Sequence, residues 1–372
     1  MLLLGSLAAI FAAFAPSAFG LGETPTSTQP TPPAPSPSAP APPPPAPVRP
    51  TRLTGLPSEV VHDPTAALTI RLSGPPAPGS PWPTLSPRVA GTWISAADTE
   101  VFRPASTLEP CATYQLTVWA NTTAVGQAPL GKRRRITLRV QCPSILALQQ
   151  SLARLGYLGA RFYPSRGVKV KYGHQTRRLA ARLLYDPPHG RLKSYPASAP
   201  PLQSGRLDAT TRGGLTVFQE DHGIPPSETP EGRTWVSLLA ALTLNHRNPQ
   251  PYTWVTVSES IPETLELHRG THVVVSSPTN TGVRGAETPQ GVFPIYSRFV
   301  STTMVGTNPD GTKYNDPGVP WVNYFNGGDA VHGFPRASYG SPQSNGCVEL
   351  PISTAATVFR MLAIGDIVYI TG

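Results

Sequence analysis

A chain of 372 residues has room for two or three domains, and 47 prolines with only 14% charged residues exclude one evenly composed globular unit. The net charge of +9 allows attraction to polyanions, but no nucleic-acid-binding motif accompanies it, so no nucleic-acid partner is expected. The basic residues gather in Lys132-Arg133-Arg134-Arg135 and in the stretch 166–193. They read either as a solvated surface or as attraction to an anionic cell envelope.

Residues 2–14 are apolar throughout, a length that suits a signal-peptide core better than a full membrane span. Ala18-Phe19-Gly20 offers small residues for cleavage, so 1–20 reads as a signal peptide or an uncleaved membrane anchor, although no Lys or Arg precedes the apolar run. No cysteine lies near it, which argues against a lipoprotein anchor. Either way an extracytoplasmic protein is expected, secreted or held at the cell wall. Thirteen prolines fall between Pro25 and Pro50. Such a tract buries no core and favours extended polyproline II, so 21–52 reads as a linker, with a proline-motif ligand as the alternative.

Residues 53–142 read as a β domain. Leu68-Thr-Ile-Arg-Leu72 and Tyr114-Gln-Leu-Thr-Val-Trp119 alternate, and 91–95 with 99–104 suggest a hairpin. Short strands with turn residues every ten or so positions predict an antiparallel sandwich. The run from Gly91 to Val118 resembles bacterial Ig-like domains. Cys111 and Cys142 both lie in this segment and are expected to bridge, leaving Cys347 as the free thiol among three cysteines.

Over 143–246 the periodicity turns helical. Ile145, Leu148, Leu152 and Leu155 share a helix face that Gly156 would end; a second helix starts near Asp208 and a third carries Trp235, Leu238 and Leu239. The blocks Leu148–Leu158, Gly205–Thr211, Val217–Gln219, Gly223-Ile224 and Gly232–Trp235 resemble the small three-helix peptidoglycan-binding module of wall enzymes. A basic insert at roughly 160–204 departs from it, and a helical spacer is the alternative reading.

Residues 252–372 read as a mostly β domain with one late helix. Strands are expected at 252–257, 265–268, 272–275, 292–300 and 366–370, with Arg269-Gly270 as a hairpin turn and a helix over Ser353–Leu362. His268 and His272 flank that turn rather than share a helix face, so no metal site is expected. No phosphate-binding glycine loop occurs, and no cofactor is implied.

Within this stretch His332 and Cys347 stand fifteen residues apart, and Cys347 follows Gly346 and precedes apolar Val348. A thiolate is the reactive form of cysteine, and an imidazole is a common device for making it at neutral pH. The alternative is a small buried hydrophobe.

The wider pattern resembles the YkuD-type L,D-transpeptidases. It is carried by Ser277-Pro278, Asn280-Thr-Gly282, Thr288-Pro289-Gln-Gly291-Val-Phe-Pro-Ile295, Met304, Gly306–Gly311, Tyr314, Asp316-Pro-Gly318, Trp321, Tyr324–Gly333 and Ser344-Asn-Gly-Cys-Val-Glu-Leu-Pro351. The resemblance implies a multidomain chain with a YkuD-like β-sandwich and a short helix, following the Ig-like sandwich and the three-helix module. It implies acyl transfer on peptidoglycan stems. Cys347 would attack the third stem residue, D-alanine would leave, and an amine of a second stem would take the acyl group in a 3→3 cross-link. Hydrolysis by water, an L,D-carboxypeptidase, and a non-catalytic wall-binding scaffold remain alternatives.

In that reading His332 is general base and acid, and the Gly333 carbonyl orients its ring. Backbone N–H groups of Asn345, Gly346 and Cys347 would form the oxyanion hole. Ser344, Met304, Tyr314, Trp321 and Tyr324 are substrate-contact candidates, core packing being the alternative for the three aromatics, and 301–328 would be a lid. The family often has histidine where Asn345 stands, and arginine or asparagine where Glu349 stands; Arg336 would then replace the lost positive charge. Partners are peptidoglycan stem peptides and glycan, with carbapenem β-lactams as covalent inhibitors.

Overall fold

The computed structural model describes residues 46–167 and 177–372. The signal or anchor segment, most of the linker and part of the basic insert lie outside the described residues.

The first layer pair is built from β1 (Leu53–Gly55), β2 (Val60–Val61), β3 (Leu68–Leu72), β4 (Thr84–Ser86), β5 (Gly91–Ala96), β6 (Thr99–Pro104), β7 (Thr113–Val118) and β8 (Arg134–Val140). They form two four-stranded sheets, β1-β3-β6-β5 and β2-β8-β7-β4. Alternation does the sorting: Leu68, Ile70 and Leu72 face the core while Thr69 and Arg71 face solvent. Full burial of each such side chain contributes roughly 1.5–3 kcal/mol. The sandwich is not wholly antiparallel, because β2 runs parallel to β8. A disulfide joins Cys111, just before β7, to Cys142, just after β8.

The next segment contains α1 (Ile145–Leu155), β9 (Ala160–Pro164), α2 (Arg177–Tyr185), β10 (Gly190–Ser194), α3 (Ala209–Asp221) and α4 (Gly232–Leu244). Ser144 caps α1 by accepting the Ala147 N–H, and Gly156 ends it at φ 88°, a left-handed value that glycine adopts without strain. Asp208 caps α3 in the same way through Thr211 N–H. Among the described residues four helices stand here rather than three, because the expected insert supplies α2 as well as the antiparallel pair β9 and β10. Leu184 of α2 is buried with Leu148, Phe218 and Trp235 in one core. Buried Gln149 ties this unit together: its amide donates to the carbonyls of Gln203 and Arg206, and its oxygen accepts from Gly205 N–H.

The last segment holds β11 (Thr253–Ser258), β12 (Thr264–Arg269), β13 (His272–Pro278), β14 (Gly291–Pro294), β15 (Ser297–Thr307), β16 (Lys313–Asn326), β17 (Asp329–Gly333), β18 (Val348–Leu350), α5 (Ile352–Met361) and β19 (Ile367–Thr371). One sheet has the order β13-β12-β11-β19-β14, the other β15-β16-β17-β18. Val255, Leu267 and Val368 of the first sheet share a core with Phe325, Val331 and Val348 of the second and with Ala355 and Val358 of α5. The strand expected over 292–300 is two strands, because the chain passes from one sheet to the other at Ile295-Tyr296. There Ile295 is buried and exchanges backbone bonds with Gly365 and Asp366. The helical segment docks on this domain backbone to backbone: a Cβ on Gly213 of α3 would stand 2.5 Å from the Gly365 carbonyl oxygen. Among the described residues no helix is long and apolar enough to cross a membrane.

Candidate active site

The spacing of His332 and Cys347 follows from topology. β17 and β18 are parallel neighbours, paired Val331↔Val348, His332↔Glu349 and Gly333↔Leu350. Parallel neighbours need a long connection, here residues 334–347, and the stagger of this pair sets the start of β18 beside the latter half of β17. Cys347 immediately precedes β18 and shares a sheet face with Glu349, hence with His332. His332 is buried, and its Nδ1 lies 3.1 Å from the Gly333 carbonyl oxygen. A carbonyl only accepts, so Nδ1 carries the hydrogen and Nε2 keeps the lone pair a base needs.

The turn into Cys347 is held from several sides. Ser344 Oγ donates to the Cys347 carbonyl at 2.5 Å. Thr288 Oγ1 donates to the Gly346 carbonyl and accepts from Gly282 N–H, both at 2.9 Å. Asn280 and Glu349 exchange backbone bonds at 3.1 and 2.9 Å. Those contacts explain the small polar residues of 277–291, which brace the turn. Gly346 has φ 105°, and a Cβ there would sit 2.4 Å from Asp329 Oδ1. Asn345 Nδ2 donates to Asn308 Oδ1 at 2.6 Å. Asn308 lies in the turn between β15 and β16, so the stretch expected as a lid is a long β-hairpin whose tip reaches the residue two before the cysteine.

Charge at the site is arranged against a resting thiolate. Burial, and secondarily the carboxylates of Asp329 and Glu349, push the Cys347 thiol up to about 12, although an N–H from Ala330 to the sulfur opposes this. Burial also lowers His332, against the pull of the Gly333 carbonyl and Glu349. Thiol and neutral imidazole are therefore the resting forms at neutral pH. Cys347 as a residue is half-buried. Arg336 grips Glu349 with two bonds of 2.7 Å, from Nε to Oε2 and Nη2 to Oε1.

The structure brings together some of the expected contacts and removes others. Met304, Tyr324 and Cys347 pack on one cluster formed by Val319, Val322 and Ala330. Tyr314 lies over Gly306, its partner across the hairpin, and its hydroxyl is raised by burial and then by Cys347. Trp321 turns away: at φ 60° its ring packs 5.6 Å from Phe359 of α5. Arg336 does not offer its charge to a substrate carboxylate, because Glu349 occupies it and the Gln343 carbonyl takes a further N–H. Ser344 is buried and spends its hydroxyl within the turn. The sequence reading missed Asp329, which stands at the start of β17 against Gly346. The Gly327-Gly328 turn before it was the available signal.

This arrangement can run acyl transfer: a half-buried cysteine, a base with its free nitrogen on the same sheet face, and a rigid turn at the sulfur. Residues 252–370 match the family described as YkuD, the L,D-transpeptidase catalytic domain. No curated protein matches the sequence. Among solved structures, the catalytic domain of an L,D-transpeptidase from E. faecium is 24% identical, with 33% of this chain and 100% of that one covered and a TM-score of 0.30. An L,D-transpeptidase from Mycobacterium smegmatis is 12% identical, covering 88% of this chain and 100% of that one, also at 0.30. L,D-transpeptidase 3 from Mycobacterium tuberculosis, in complex with a faropenem-derived adduct, is 12% identical over 86% of this chain and 97% of that one, again at 0.30. Residues 252–370 are thus an L,D-transpeptidase catalytic domain of the YkuD family, and the chain is an acyltransferase enzyme.

Proposed function

We propose that the chain is an exported cysteine L,D-transpeptidase that forms 3→3 peptidoglycan cross-links. The observation that carries this reading is Nε2 of His332, left as an acceptor by the Gly333 carbonyl, on the sheet face that ends in Cys347. Nε2 takes the thiol proton as sulfur attacks the carbonyl of the third stem residue, so the resting thiol becomes a thiolate only as it reacts. The oxyanion falls to backbone N–H groups of Asn345, Gly346 and Cys347, in a turn fixed by Thr288 and Ser344. His332 hands the proton to the departing D-alanine amine. An amine of a second stem then attacks the thioester and regenerates the thiol. Met304, Tyr314 and Tyr324 line the approach to the sulfur.

The β-sandwich at 53–142, as an Ig-like domain, and the helical unit at 143–246, as a peptidoglycan-binding module, hold the enzyme against the wall, with 1–20 directing export or anchoring. The docking of α3 on Gly365 supports a fixed orientation of the helical unit toward the catalytic domain. A carbapenem presents a strained acyl carbonyl to the same sulfur and acylates Cys347. Intact mass tests this: the chain gains the mass of one opened carbapenem and Cys347→Ala gains none. An unmodified wild-type chain after prolonged incubation contradicts it.

A further inference from the structure

Asp329 is a carboxylate in an unexpected place. It opens β17, three residues before His332, and its Oδ2 accepts from Asn326 Nδ2 at 2.9 Å. Its Oδ1 faces the backbone of Gly346, close enough that a Cβ there would stand 2.4 Å away. The side chain is half-buried, and its field reaches the Cys347 thiol and the hydroxyls of Tyr296 and Tyr314. Tyr296 and Tyr324 stack at 6.2 Å, with Phe299 edge-on to Tyr324 at 6.1 Å. Among the described residues no lysine, arginine or histidine pairs with Asp329, whereas Glu349, the other carboxylate at the thiol, is neutralised by Arg336.

A negative charge there hinders the first half of acyl transfer, because it disfavours the thiolate. It helps the second half. An acceptor amine has a pKa near 10.4 and arrives at neutral pH as an ammonium, which must be held and must lose a proton before it attacks. An unpaired carboxylate beside tyrosine faces suits a primary ammonium and repels anions.

We propose that Asp329 is the specificity-determining residue for the acyl acceptor: its carboxylate holds the primary ammonium of the incoming stem beside Cys347 and favours amine over water. This rests on the reading of Cys347 as the acylated residue. The ammonium gives one proton to Asp329, which passes it to water. The freed lone pair attacks the thioester carbonyl and the N–C bond forms. His332 Nε2 takes the second proton and returns it to Sγ as the C–S bond breaks, so one amide, one thiol and one released proton result.

The test uses the full chain and Asp329→Asn, which keeps the side-chain shape. With a disaccharide-tetrapeptide as donor and acceptor, the variant's ratio of cross-linked dimer to hydrolysed tripeptide falls at least tenfold and its KM for the acceptor rises. Iodoacetamide alkylates its Cys347 about threefold faster or more at neutral pH with the melting temperature unchanged, which separates the lost charge from exposure of the thiol by damage to the fold. On the wild-type chain, an acceptor trimethylated at its side-chain amine competes with transfer, and the acetylated form does not. An unchanged ratio and KM in the variant, or equal competition by the two blocked acceptors, overturns the proposal. A wild-type chain that forms no acyl-enzyme overturns the transpeptidase reading itself, a result distinct from both.

Discussion

Replacing Arg336 by methionine removes one half of a buried ion pair and leaves the other half in place. Glu349 has 5% of its side chain exposed and Arg336 has 29%, with two bonds of 2.7 Å between them. Methionine keeps the stem that packs near Phe334, whose ring lies 4.7 Å from the guanidinium carbon. What remains is a carboxylate without its cation, directly opposite His332 and two residues from Cys347. Breaking a buried pair costs about 3–5 kcal/mol, and water can enter from the Arg336 side, so about 3 kcal/mol is expected. For a domain of this size that lowers the melting temperature by about 10 °C. Glu349 already raises both the thiol and the imidazole, so losing its counter-charge raises both further. Removing both charges in Arg336→Met/Glu349→Leu recovers most of the stability, because no orphaned charge is left. Thermal melting of the two single variants and the double variant completes the cycle. A loss below about 1 kcal/mol in Arg336→Met, or a double variant no more stable than that single one, refutes the reasoning.

Gly346→Ala forces a Cβ onto Asp329 at φ 105°; acylation falls about a hundredfold with about 2 kcal/mol of stability, and a variant acylated at the wild-type rate contradicts the turn geometry. Because the Cys347 thiol is pushed up to about 12 and His332 is lowered, both are neutral at pH 7 and attack assisted by His332 needs no further ionisation, so the acylation rate is flat from pH 7 to pH 9 and falls in acid as His332 takes up a proton. A rate that climbs steeply across that range would mean attack by a free thiolate, without His332 as base, and would contradict the account. Glu100 is buried in β6 with Oε2 unpartnered, and burial raises it from 4.5 to about 7. A raised acid destabilises the fold once it ionises. The loss develops between pH 4.5 and 7 and reaches roughly 3 kcal/mol above that. Glu100→Gln therefore melts higher than wild type at pH 8 and close to it at pH 4.5; the opposite order contradicts the assignment.

What the sequence disclosed was local. Gly156 and Asp208 mark helix ends because caps are short-range chemistry, and both sit at the ends the structure shows. Alternation in Leu68–Leu72 and the turn at Gly270 were legible for the same reason. His332 and Cys347 stood out by residue type and by the family resemblance, and the register of β17 against β18 sets them on one sheet face. The rest depends on contacts between distant residues. Glu349 read as a lost positive charge, whereas its meaning lies in Arg336, thirteen residues away and folded back onto it. Trp321 read as either a substrate contact or core, because its left-handed backbone, which sends the ring to α5, leaves no mark in residue type. The hairpin from Ser297 to Asn326 was hidden by Pro317, Gly318 and Pro320, which interrupt its alternation. Asp329 became visible only once Gly346 was placed against it.

The central claim is that Cys347 transfers a stem acyl group to an amine. It is tested most directly by mass analysis of the products formed when the chain, or Cys347→Ala, is mixed with a disaccharide-tetrapeptide. The account predicts a cross-linked dimer that lacks one D-alanine, made by the wild-type chain and absent with Cys347→Ala. Tripeptide alone would contradict transfer, and identical products from both chains would contradict the role of Cys347.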